Sequence, residues 1–138
     1  MQFAKSCDYA VQGLLFLARH KDHAEPVMLR DIAAGTRAPE AFLSKVFQML
    51  RASSLVRSHR GVKRGYTLAR EPDQISLAEI ISATDGPAAL RSVPRGRRTR
   101  KQEDPFLRVW SKIEDQLVRT LEETTLRTIL DQAPIGRS

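Results

Sequence analysis

The chain has 138 residues, of which 41% are hydrophobic and 28% charged. These are ordinary globular proportions, so wholesale disorder is excluded, and a chain of this length can bury roughly two-thirds of its unfolded surface around one core. A single cysteine excludes an internal disulfide and any thiolate-built zinc or iron–sulfur site within one chain.

No apolar run approaches the roughly 18 residues that a membrane span needs. The opening segment MQFAKSCDYA carries Asp8 and lacks a long apolar stretch, unlike a secretory signal, so the expected location is the cytoplasm. The net charge of +7 is unevenly spread. Residues 1–70 hold 12 bases and 5 acids, residues 71–90 no base and 4 acids. Residues 91–101 hold 6 bases and no acid, and residues 102–138 hold 5 bases and 7 acids. A basic front half with one intensely basic internal segment favours a polyanionic partner.

In chain order, residues 7–20 are predicted helical, because Val11, Leu14, Leu15 and Ala18 recur at helical spacing, with Ser6 as N-cap. The polar stretch KDHAEP is a loop, and Val27 and Met28 form a very short strand. Leu29–Ala34 is a short helix closed by Gly35. Pro39 opens a helix running to about Ala52, with Leu43, Val46, Phe47 and Leu50 as its apolar stripe. Ala41, Ser44, Lys45, Gln48 and Arg51 lie on a different face, small, polar and basic.

Two strands follow, Leu55–His59 and Gly65–Ala69, joined by the basic tip Arg60, Gly61, Val62, Lys63 and Arg64. After a turn at Arg70–Gln74, residues 77–85 form a helix. Ser76 and Glu79 make a capping box, Ile75 staples onto Ile80, and Gly86 and Pro87 end it. Residues 87–104 lack periodicity and are expected to be a mobile basic loop. Asp104 caps a long helix with Pro105 at its first position; over residues 105–123 it spans about 28 Å. Phe106, Trp110, Ile113, Leu117 and Leu121 give it an apolar stripe, and Thr124 caps a last short helix through about Leu130.

A short helix, a tight turn, a second helix with a polar outer face and a basic hairpin are the parts of a winged helix-turn-helix. Such a second helix fits the major groove of B-DNA, where base edges present a readable pattern of donors and acceptors. The tip would bring Arg60, Lys63 and Arg64 to phosphates or into a narrow minor groove.

The segments DYAVQGLLFLA, LRDIAAGTRAPEAFLSKVFQMLRASSLVRSHRG, GYTLAR, ISLAEIISATDG and the late TTL, in this order, resemble the Rrf-two family of bacterial winged-helix regulators. Its members include iron–sulfur, nitric-oxide-sensitive and cysteine-metabolism regulators. The likeness covers residues 1–86 well, and 105–130 in pattern. It implies a mainly α fold with a small β-hairpin: a DNA-binding domain at 1–86, a basic loop at 87–104, and a dimerisation helix with a short helix at 105–138. The implied base-reading positions are Ala41, Phe42, Ser44 and Lys45, with Glu40 and Gln48 assisting. Arg60 is the implied minor-groove arginine of the wing, and the helix 105–123 pairs two copies. Recognition helices would then face successive grooves about 34–36 Å apart.

Two departures stand out. Cluster-bearing members carry three cysteines before the long helix, whereas GPAALRSVPRGRRTRKQEDP has none. Asp8 matches a carboxylate that some members use as a ligand, but it cannot replace thiolates, so no cofactor is expected. The wing tip is also less glycine-rich than the family pattern, with Val62, Lys63 and Arg64 in place.

The expected function is therefore a sequence-specific DNA-binding transcription regulator, a homodimeric repressor on a palindromic operator, without catalysis. No phosphate loop, activated nucleophile or ligand-spaced cluster supports an enzyme. The rival is a protein-interaction module that docks an acidic partner through the basic loop. Cys7 is a candidate redox sensor at a helix start, set against the commoner reading of a small buried thiol. The switching signal stays open between Cys7, a small effector and a partner protein. His20 and His23, without a third ligand, make a poor metal site.

Overall fold

The computed structural model describes residues 5–20, 22–91 and 104–132. Helix α1 (Lys5–Arg19) starts earlier than its apolar periodicity suggests, so Ser6 lies inside it rather than capping it. Its buried residues, among them Ala10, Leu14 and Leu17, make it the central packing element. Against it pack α2 (Leu29–Thr36), α3 (Glu40–Ala52) and α4 (Leu77–Asp85).

Gly35 does not end α2. The helix runs one residue further, and Arg37 closes it in the left-handed conformation at φ 58°, its N–H donating to the Ala33 carbonyl. Gly35 is needed for another reason: a β-carbon there would collide with the Phe16 ring of α1. Pro39 precedes α3 as its N-cap, with extended φ and ψ and no side-chain bond.

Strands β1 (Val56–His59) and β2 (Gly65–Leu68) pair antiparallel from Val56 opposite Leu68 to His59 opposite Gly65. Val27 adds a single antiparallel bridge on the other edge of β2, since Val27 and Tyr66 exchange both backbone hydrogen bonds, at 3.0 and 2.9 Å. The hairpin is thereby tied to the segment just before α2.

Helix α4 has the expected boundaries. The Ser76 hydroxyl accepts from the Glu79 N–H at 3.1 Å while the Glu79 carboxylate accepts from the Ser76 N–H at 3.2 Å. Arg70 Nη1 also donates to Glu79 Oε2 at 2.5 Å. Burial works to raise the Glu79 carboxyl, but the bonds from Arg70 and Ser76 outweigh it and hold it below the ordinary carboxylate value.

Residues 87–104 are not structureless throughout. Pro87–Leu90 form a 3-10 turn, which the fixed φ of Pro87 at its first position favours. Arg91, the first base of the basic run, is held by Asp115 of the long helix at 2.5 Å. The rest of that run, Arg95 to Lys101, lies outside the described residues.

Helix α5 (Pro105–Glu123) is capped as expected, with the Asp104 carboxylate accepting from Phe106 N–H and Leu107 N–H. The final helix α6 (Leu126–Asp131) is capped by Thr125 rather than Thr124, because Thr125 and Thr128 form a reciprocal box. Around this cap the chain pairs with the start of α4: Leu77 N–H donates to Thr124 O and Leu126 N–H to Ile75 O, each at 2.8 Å. Leu126 and Leu121 then enter the same core as Leu14, Phe47 and Ile80. Among the described residues, no helix is long and apolar enough to cross a membrane.

Candidate nucleic-acid interface

Helix α3 is anchored by Leu43, Val46, Phe47 and Leu50, all fully buried. Gly13 of α1 allows this close seat, since a β-carbon there would lie 2.6 Å from the Phe47 ring. Burying that stripe turns the opposite face to solvent. Glu40, Ala41, Lys45, Gln48 and Arg51 are exposed, and Ser44 is half-buried beside them. Phe42 is shared between the two environments: its ring meets Tyr9 of α1 edge to face, centroids 5.2 Å apart, and its remaining surface faces outward.

The hairpin lies beside this face, across a cleft lined by Glu40, Gln48 and Arg51 of α3. Arg60, Gly61, Val62, Lys63 and Arg64 are all exposed, and Val62 at the apex is fully so. Gly61 adopts φ +97° in open space, a conformation that favours glycine. Next to the tip, His59 Nε2 and Thr67 Oγ1 are hydrogen-bonded at 2.9 Å across the strands. The ring of Tyr66 packs edge to face on Phe47, centroids 4.9 Å apart.

Among the described residues, Lys45, Arg51, Arg60, Lys63 and Arg64 form no ion pair with a carboxylate. A surface that leaves its cations unneutralised has a field available for an external polyanion. Between α3, the hairpin and the start of α2 lies a cleft of about 550 Å³, lined by Arg51, Arg60 and Arg64 and also by Arg30. Sequence reading missed Arg30. It is one base on a short helix, and only the tertiary fold brings it to the hairpin.

The long helix divides its apolar residues. Phe106 is 68% exposed, Val109 58%, Ile113 50% and Trp110 38%. These four follow the i, i+3, i+4, i+7 spacing of one helix face, and Phe106 stacks on Trp110. Val109 completes that face and was missed because the reading followed a steeper stripe. Leu117 packs partly against the core, and Leu121 is only 6% exposed within it. Leu121 is therefore corrected to a core residue of its own chain, because pairing near Thr125 draws the end of α5 inward.

Cys7 is buried against α4. Burial pushes its thiol up to about 11, and the Asp85 and Asp8 carboxylates act in the same direction against a bond with Thr84. A thiol kept protonated and covered is a poor nucleophile and a poor iron ligand. His23 Nε2 is hydrogen-bonded to the Ala18 carbonyl at 2.9 Å. Among the described residues, no three His, Cys, Asp or Glu side chains gather to hold a metal.

The sequence profile of the Rrf2 family, described as iron-dependent transcriptional regulators, matches residues 3–132. The HTH-type transcriptional regulator CymR of Bacillus subtilis is 34% identical over 130 residues, covering 94% of this chain and 89% of CymR. The solved structure of B. subtilis CymR, titled the global cysteine regulator, superposes with a TM-score of 0.76 at 28% identity, over 97% of this chain and 99% of that one. The structure of T. potens IscR superposes with a TM-score of 0.73 at 29% identity, over 100% of this chain and 92% of that one.

Proposed function

Since this chain belongs to the Rrf2 family and is a winged-helix, DNA-binding transcription regulator, we propose that it works as a homodimeric repressor on a palindromic operator. The observation that carries this reading is the exposed face of α3, flanked by a basic hairpin whose cations lack carboxylate partners among the described residues. Ser44 and Lys45 read base edges in the major groove, with Ala41 and the outer edge of Phe42 making apolar contact and Glu40 and Gln48 assisting. Arg60 enters the minor groove, while Arg51, Lys63 and Arg64 hold phosphates. Phosphate contacts give position and base contacts give specificity.

The homodimer is supported by the exposed face Phe106, Val109, Trp110 and Ile113 of α5. A contiguous apolar stripe of this size is costly to leave in water and suits a second copy. In functional terms, residues 1–86 hold DNA and the segment from 105 onward pairs the subunits. A regulator of this kind works in the compartment that holds its DNA, the cytoplasm.

The family's iron dependence does not fit the donors of this chain. It has one cysteine, that thiol is buried and raised, and GPAALRSVPRGRRTRKQEDP supplies neither cysteine nor histidine.

The test is an anisotropy titration of the full chain against promoter fragments and shuffled duplexes of equal length. Tighter binding to particular fragments, persisting as salt rises, is expected. Weak, sequence-blind binding that vanishes at moderate salt would instead favour a module for acidic partners.

A further inference from the structure

The cleft between α2, α3 and the hairpin contains more than the phosphate contacts that the family likeness implies. Four arginines line it, from three parts of the chain: Arg30 on α2, Arg51 on α3, and Arg60 and Arg64 on the hairpin. All four are exposed, and among the described residues none is ion-paired. One carboxylate, Glu40, shares the cleft without bridging to any of them. The local charge is therefore strongly positive in a concave setting, where field lines concentrate.

The cleft is also built in place. Met28 and Leu29 line it at the start of α2, and Met28 caps that helix with no side-chain bond. The Val27–Tyr66 backbone pair fixes this helix start against β2, so Arg30 and Arg64 face one cleft through a hydrogen-bonded joint.

We propose that this cleft seats one backbone phosphate of the duplex, with Arg30 as an additional contact that α2 contributes beside α3 and the wing. The inference rests on the DNA-binding reading above and extends it to a residue outside the recognition helix and hairpin. A guanidinium suits this role because it presents several donors to phosphate oxygens at once. The contact carries no base information, so it sets the register of α3 in the groove rather than the sequence it prefers.

The experiment measures the salt dependence of duplex binding by the full chain and its Arg30→Ala variant. Both are titrated on a selected site and on random duplex across a range of sodium chloride. A bound dimer loses two phosphate contacts, one from each subunit, which lowers the slope of log affinity against log salt by about 2. That drop should appear on both duplexes, with the preference between them kept. Arg30→Lys should retain most of the slope, and Arg127→Ala on α6, outside the cleft, should leave it unchanged. An unaltered slope in Arg30→Ala, or an equal drop in Arg127→Ala, overturns the seat while leaving DNA binding intact. Failure of the wild-type chain to bind any duplex overturns the DNA-binding reading itself.

Discussion

Phe47 and Tyr66 meet edge to face with ring centroids 4.9 Å apart and planes inclined at 63°. One ring is the fully buried centre of α3 and the other belongs to the strand that carries the basic tip. Their contact therefore sets the distance between the helix offered to the major groove and the hairpin offered beside it. Most of the functional geometry depends on this joint and on the Val27–Tyr66 backbone pair beneath it.

The joint requires glycine at position 65. Gly65 holds φ +139°, and a β-carbon there would drive into the backbone carbonyl of Val27. Gly65→Ala should cost about 1–3 kcal/mol of stability, read as a lower urea midpoint. Gly61→Ala has a positive φ but open space around it, so its cost should be smaller.

Lys45 is exposed on the outward face of α3, clear of the core stripe. Lys45→Ala should lose about 1–3 kcal/mol on a selected operator and much less on random duplex. Competition titrations with the two DNAs check this, and equal losses on both would remove Lys45 from base reading.

Ile113 closes the exposed stripe on α5 at its C-terminal end, half exposed in the single chain. Ile113→Glu places a charge where two apolar faces would meet. Sedimentation should show the wild type as a dimer and the variant as a folded monomer with sharply weaker operator binding.

The Cys7 thiol, pushed up to about 11, bears on both reactivity and stability. Folding favours the protonated form, so its contribution is complete below the ordinary thiol value and is lost as pH rises toward 11. Folded protein at pH 8 should resist alkylation that proceeds quickly in denaturant. Cys7→Ala should flatten the stability loss over that alkaline window. Peroxide should leave operator binding of the wild type unchanged.

Much of this architecture was legible from short-range chemistry. The Ser76–Glu79 box fixed the start of α4, Asp104 and Pro105 fixed the start of α5, and the buried stripe of α3 identified its outward face. What could not be read depends on contacts between segments distant in sequence. Gly35 looked like a terminator because glycine so often ends helices, yet here it makes room for Phe16. Leu121 fitted a continuous surface stripe, and only the pairing of Ser76 with Thr125 turns that end of α5 into the core. Arg30 joined the basic cleft for the same reason, through the bridge between Val27 and Tyr66.

The most direct measurement is selection of bound duplexes from a random pool by the intact protein. An inverted repeat should emerge, its half-sites about one helical turn apart, as two copies of α3 in a symmetric dimer require. Enrichment of no sequence, or of a single half-site without its inverted mate, would contradict paired groove reading by α3.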